Sequence, residues 1–162
     1  MTTPRAAVEA DFPRLQAIEV EAGAPFRAIG MHAIADMPPP STEVLQAYVD
    51  DGHCWVIGDI AGYLLADVVD GCAHIAQVSV APEFRGKRFG RELIDHLDRW
   101  AIGQGLAALT LTTFRDVPWN GPYYARLGFR VIEPTPELAE MVAHEANVGL
   151  DPATRVCMRR DL

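Results

Sequence analysis

Apolar positions along the chain change period several times, and each change marks an element. In RAAVEADFPRLQAIE a short strand leads into a helix, with Leu15, Ile18 and Ala22 on one face. Asp11 stands where an N-cap belongs, and Pro13 falls in the first turn. From Gly23 to Pro40 the pattern fades, and Met37-Pro38-Pro39-Pro40 cannot continue a helix. Ser41 or Thr42 then caps a second helix with Val44, Leu45 and Tyr48 as its apolar positions. CWVIG and AGYLLADVV read as strands that turn at Gly58-Asp59. Asp70-Gly71 signals a hairpin into a third strand, AHIAQVSV. Phe89, Leu93, Ile94, Leu97 and Trp100 describe one helix face, which ends at Gly103-Gln104-Gly105. LAALTLTTF is a strand, expected to run parallel to AHIAQVSV because a helix separates them. GPYYARLG is a short helix stopped by Gly128, FRVIE a strand, PELAEMVAHEANVG a helix and TRVCMRR a last strand. The sum is an α/β fold: a mixed, mostly antiparallel central sheet with helices on both faces, spanning 1–162 as one domain.

Composition narrows the function classes. The chain has 162 residues and a formal net charge of −8. That balance disfavours a nucleic-acid binder, which would present a basic stripe, and it suits a cationic acceptor. No apolar run reaches the length of a membrane span. MTTPRAAVEADF lacks the basic-then-apolar order of a secretion signal, so the expected compartment is the cytoplasm. Cys54, Cys72 and Cys157 are odd in number and widely spaced, which argues against a disulfide framework. His53-Cys54 and Cys72-x-His74 match no zinc signature, so no metal is expected.

Against the acidic background, VSVAPEFRGKRFGREL gathers Arg85, Lys87, Arg88 and Arg91 around Gly86 and Gly90, just before a helical pattern. A helix N-terminus offers unpaired N–H groups and a positive dipole end. Small residues let an anion approach the main chain, and arginines add charge-assisted bonds. The stretch therefore reads as a phosphate or pyrophosphate site. It is neither the dinucleotide fingerprint nor a P-loop: the glycine spacing is wrong, and no Gly-Lys-Ser/Thr is present.

These motifs together resemble the GNAT superfamily of acyl-CoA-dependent N-acyltransferases over nearly the whole chain. RAAVEADFPRLQAIE looks like the family's first strand and helix. VSVAPEFRGKRFGRELI is similar to its coenzyme A motif, R/Q-x-x-G-x-G/A after a V-x-V-x-P strand end, and YYARLGF to its Tyr-x-x-x-Gly-Phe signature. Arg88 departs from the pattern, standing where the family has a central glycine. It keeps its N–H, which serves an anion if the backbone there is helical.

The resemblance implies acetyl transfer from acetyl-CoA to an amine by direct attack, with a small-molecule or peptide acceptor, no metal, and a homodimer as one expected assembly. It implies that Val78 and Val80 present backbone to the pantetheine arm. Arg85, Gly86, Lys87, Arg88, Phe89, Gly90 and Arg91 would cradle the pyrophosphate, and Asn120 would lie near the thiol, or simply cap a helix. Tyr124 matches the family tyrosine that protonates the leaving thiolate, and Tyr123 beside it is expected to serve packing. His74 falls at the family's position for a general base, with a structural role as the competing reading; Asp116 is another candidate. The acceptor pocket is expected from Glu19, Glu21, Phe26, Arg27, His32 and Asp36, with Phe114 and Trp119. There Glu19 and Glu21 would attract an amine and Arg27 would hold a carboxylate, unless these are solvated surface charges. A non-catalytic acyl-CoA-binding module with the same fold is the alternative.

Overall fold

The computed structural model describes residues 2–162. Its strands are β1 (Arg5–Ala6), β2 (Cys54–Ile57), β3 (Gly62–Val69), β4 (Cys72–Val80), β5 (Ala108–Phe114), β6 (Arg130–Ile132) and β7 (Arg155–Asp161). Its helices are α1 (Phe12–Gly23), α2 (His32–Ala35), α3 (Thr42–Asp50), α4 (Phe89–Gly103), α5 (Gly121–Arg126) and α6 (Pro136–Ala146). Strand neighbours follow the order β1-β2-β3-β4-β5-β7-β6. The pairs β1–β2, β2–β3, β5–β7 and β6–β7 are antiparallel, and β4–β5 is parallel. This is the mixed, mostly antiparallel sheet with helices that the sequence pattern predicts. No helix among the described residues is long and apolar enough to cross a membrane. The chain divides into two compact units.

The first unit takes the residues up to Ala66 with Ala76–Leu97. Leu15 and Ile18 of α1 and Leu45 of α3 pack on Cys54, Val56, Tyr63 and Leu65 of β2 and β3. The opposite side of β2 carries Trp55, which meets His96 of α4 edge-on at 5.7 Å. Alternation along β2 therefore buries both faces, one under each layer of helix. Gly62 opens β3 where no side chain fits: a Cβ there would lie 2.8 Å from the Ser79 carbonyl oxygen. Ser41 caps α3, accepting from the Val44 N–H at 3.2 Å.

Asp11 does not cap α1 as its position suggests. A 3-10 turn, Glu9–Asp11, precedes the helix, and the Asp11 carboxylate turns back to accept from the Val8 N–H at 2.9 Å. It also takes two bonds from Arg5, at 2.9 and 3.0 Å, and the Arg5 guanidinium holds its pKa below the usual carboxylate range. The faint region after Gly23 becomes a second 3-10 turn, Ala24–Ile29, followed by the single turn of α2.

The second unit takes Asp67–Ile75 with Asp98–Leu162. Asp70 and Gly71 have φ of 54° and 71°, as a two-residue hairpin with both central residues left-handed requires. β5 is buried on both faces, its threonines Thr110 and Thr113 included. It pairs with β7 from Ala108↔Asp161 to Phe114↔Arg155, and with β4 at Ala73↔Leu109 and His74↔Thr110. Thr135 caps α6, accepting from the Leu138 N–H at 3.2 Å.

Candidate functional site

The basic stretch folds into a turn that delivers the chain into α4. Pro82–Phe84 form a 3-10 turn, and the Arg85 N–H closes on the Pro82 carbonyl at 3.2 Å. Gly86 and Arg88 then take φ of 81° and 64°, with Lys87 between them outside the left-handed region. Alternating φ sign turns neighbouring N–H groups toward one side, the arrangement of an anion nest. The Arg88 carbonyl accepts the first helical bond, from the Glu92 N–H at 3.0 Å. The N–H groups of Phe89, Gly90 and Arg91 fall in the first turn, where no intrahelical acceptor exists. Arg85, Gly86, Lys87, Arg88 and Arg91 are exposed, and Phe89 and Gly90 are half-buried. Phe89 anchors the turn against Phe84 at 6.0 Å between ring centroids, and Lys87 stacks its ammonium over Phe84 at 5.6 Å. The turn can thus offer main-chain donors, a helix dipole and the exposed side chains of Arg85, Lys87 and Arg88 to an anion, while Arg91 pairs with Asp95 at 3.7 Å.

The helical backbone that would let Arg88 stand in for glycine is not what the chain adopts. Arg88 keeps the left-handed conformation that suits glycine at this point and bears its Cβ there at a cost. β4 leads to the turn with Val78 and Val80 half-exposed and Ser79 buried between them.

The acidic and basic residues expected around an acceptor are mostly engaged within the first unit. Glu21 pairs with Arg14 at 3.3 Å, and Arg14 also reaches Glu83 at 3.2 Å. Arg27 is held by Asp36 and lies 3.3 Å from the His32 Nδ1. Glu19 is half-buried. Its Oε2 accepts from the Tyr63 hydroxyl at 2.6 Å and from the Ser79 hydroxyl at 2.8 Å, and the Gln77 Nε2 donates to Ser79 at 2.8 Å. Burial, then the adjacent Glu19, pushes the Tyr63 phenol well above its ordinary pKa, so it remains a donor. Tyr63 and Ser79 are not among the residues that the sequence pattern marks. The available signal is that Glu19 follows Leu15 by four residues, a carboxylate on the apolar stripe of α1.

In the second unit, Tyr124 and Asn120 lie at the start of α5. The Asn120 carbonyl accepts from the Tyr124 N–H at 3.0 Å, so Asn120 caps through its main chain. Its side chain makes no capping bond and donates to the Trp119 carbonyl at 3.1 Å. Gly121 admits the close approach of the preceding loop: a Cβ there would meet the Arg115 carbonyl oxygen at 2.6 Å. Gly128 ends the segment at φ 93°, and Arg160 donates to the Leu127 carbonyl at 3.0 Å while pairing with Asp98 at 2.9 Å. These contacts fix the direction of the Tyr124 ring, which packs edge-on against Phe129 at 5.9 Å and Tyr123 at 5.2 Å. Tyr124 is the buried member of the pair. Tyr123 is half-buried under Arg126, so the packing expected of Tyr123 falls chiefly to Tyr124.

His74 is 2% exposed, and its Nδ1 lies 2.8 Å from the Thr110 hydroxyl, its register partner on β5. Burial lowers its pKa, so the ring is neutral in the neutral range. Asp116 is 83% exposed beside Arg115, and Phe114 is buried under the Arg155 guanidinium at 4.6 Å. Trp119 is exposed. The three thiols are free and buried.

Comparison with known proteins gives this geometry its context. A curated N-acetyltransferase of uncharacterised function from Bacillus subtilis, YobR, is 27% identical over 115 residues, covering 71% of this chain. The chain spans 44% of that relative's length. The PaiA N-acetyltransferase of Thermoplasma acidophilum, solved with coenzyme A, superimposes with a TM-score of 0.76 at 14% identity over 100% of this chain and 99% of its own. N-acetylglutamate synthase of Neisseria gonorrhoeae, solved with coenzyme A and N-acetyl-glutamate, gives 0.74 at 20% identity over 100% of this chain and 35% of that one. The profile of the Acetyltransferase (GNAT) family matches residues 14–129, more than half of the sequence, and the chain belongs to that family.

Proposed function

We propose that the chain, read as one N-acetyltransferase domain over 1–162, transfers an acetyl group from acetyl-CoA to the amine of a small molecule or peptide within a ternary complex. The observation that carries this reading is the Arg85–Arg91 turn. In a chain of this family it combines left-handed residues at Gly86 and Arg88, exposed basic side chains and the start of a fifteen-residue helix. These are the features that receive a pyrophosphate. Acetyl-CoA supplies the thioester. Main-chain N–H groups from Gly86 to Arg91 and the Arg85, Lys87, Arg88 and Arg91 side chains take its phosphates, and the backbone at Val78 and Val80 takes the amide-bearing arm. Asn120 is assigned to the thiol end.

Chemically, the neutral amine nitrogen attacks the thioester carbonyl, the C–S bond breaks, and the departing thiolate takes a proton. We assign that proton to the Tyr124 hydroxyl, since α5 and its flanking glycines hold the ring in one direction. His74 is the candidate base from its place on β4. Its burial and its bond to Thr110 favour a second reading, in which it ties β4 to β5 and water carries off the amine proton. Buried free thiols at Cys54, Cys72 and Cys157 suit a reducing cytoplasm.

The test is calorimetry with coenzyme A, followed by thiol release from acetyl-CoA across a panel of amines and peptides. Binding with acceptor-dependent release supports the enzyme. Binding without release from any acceptor moves the chain to a non-catalytic acyl-CoA module. Absence of binding to folded protein removes both.

A further inference from the structure

Lys87 is the sole lysine of the chain; every other member of its 14 Lys and Arg residues is an arginine. The distinction is chemical. A guanidinium stays protonated and does not take an acyl group, whereas a lysine amine does. An acetyl donor that meets this protein therefore finds one acylatable lysine, and it stands in the turn assigned to the coenzyme phosphates. Lys87 is exposed, and among the described residues it makes no ion pair, in contrast to Arg91 with Asp95. Its ammonium lies 5.6 Å from the Phe84 ring centroid, so the stem runs along the turn while the amine stays within reach of solvent.

Resting on the coenzyme cradle of the reading above, we propose that Lys87 is an acetylation site and that its acetylation weakens coenzyme binding. The donor class is an activated acetyl compound, an acyl phosphate or a thioester. The deprotonated Lys87 Nζ attacks the donor carbonyl carbon and an N–C bond forms. The C–O or C–S bond breaks, phosphate or thiolate leaves with the electron pair, and the nitrogen gives up a proton to the leaving group. A coenzyme seated in the cradle is not the donor, because its thioester stands at the far end of the pantetheine arm from the pyrophosphate. A seated coenzyme instead covers Lys87 with phosphate, so binding and acetylation oppose each other. Acetylation removes one positive charge from the turn and the cation over Phe84.

The test incubates the full chain with acetyl phosphate and, separately, with acetyl-CoA, then treats it with hydroxylamine to strip acetyl groups from thiols and hydroxyls. Peptide mass spectrometry locates the adduct, thermal melts check that each form is folded, and calorimetry gives coenzyme A affinity before and after. The acetyl group should reside on Lys87. Coenzyme A at about ten times its Kd should slow the acetyl phosphate reaction about tenfold, since only the free fraction reacts. The acetylated protein should bind coenzyme A about three- to thirtyfold more weakly, the range for losing one solvent-screened charge-assisted contact. Lys87→Gln, which removes the charge without acylation, should be weakened by a similar factor. Lys87→Arg keeps a charge but cannot take the acetyl group, so its own affinity should not change through the same treatment. An adduct with one donor alone identifies the source and sustains the site. An unmodified Lys87 with both donors, equal rates with and without coenzyme A, or an affinity that acetylation leaves unchanged would overturn the proposal while the cradle stands. Absence of coenzyme A binding to the untreated, folded chain would bring down the cradle and this proposal together.

Discussion

Replacing Arg88 with glycine should make the protein more stable and a poorer binder of coenzyme A. An L-residue in the left-handed region carries roughly 1–2 kcal/mol of steric cost, and Arg88 sits at φ 64°. Glycine removes that cost but returns about 0.5–1 kcal/mol through its freer unfolded chain. The Arg88 side chain is exposed, so the substitution removes little packing. The net gain is about 0.5–1 kcal/mol, or roughly 1–4 °C in midpoint for a domain of this size. The substitution, however, also removes an exposed guanidinium from the turn. A charge-assisted contact to phosphate is worth about 1.5–3 kcal/mol when well formed and less when solvent screens it. Coenzyme A should therefore bind about three- to thirtyfold more weakly, with a shallower dependence on salt. The assay is thermal unfolding without ligand beside calorimetry at two salt concentrations. A midpoint that falls in Arg88→Gly would refute the strain argument. Unchanged affinity and salt dependence would show that the side chain faces water and that the main chain alone forms the cradle.

Tyr124→Phe keeps the ring and its contacts with Tyr123 and Phe129, so folding and coenzyme binding should persist while turnover falls about a hundredfold; wild-type turnover would remove Tyr124 from the mechanism. His74 has a folded pKa below its unfolded value, so its contribution to stability is complete above the ordinary histidine range and is lost as pH falls from about 6.5 toward the folded value. Thermal melts of wild type and His74→Gln should therefore converge as pH drops from 8 to 5, and a gap that widens instead would reverse the sign. The pH–rate profile of His74→Gln separates the base from the tie to Thr110, since only loss of a base moves the acidic limb. Gly121→Ala would bring a Cβ within 2.6 Å of the Arg115 carbonyl oxygen, so α5 must shift, and both stability and turnover should fall; circular dichroism melts with a turnover assay check it.

Periodicity, turn chemistry and motif order determined most of the elements and the family by themselves. Helix faces such as Leu15-Ile18 and Leu93-Ile94-Leu97 announce themselves at 3.6-residue spacing, and Asp70-Gly71 names its own hairpin, because local sterics decide these features. The Arg85–Arg91 turn is equally legible, since glycine, basic charge and a following helix lie together in sequence. Where a polar side chain finds its partner is not local. Asp11 looks like a cap until Arg5 and Val8 claim its carboxylate. His74 gives no sign in the sequence of its neighbour Thr110, which β5 brings within 2.8 Å. Glu19 looks like a surface charge until Tyr63, 44 positions away, and Ser79, 60 positions away, close on one oxygen. Arg88 defeats the sequence differently: its residue type argues for a helical backbone, and the turn into α4 imposes the left-handed one. In each case the chain encodes the group, while tertiary packing sets its dielectric surroundings, its partner and its direction.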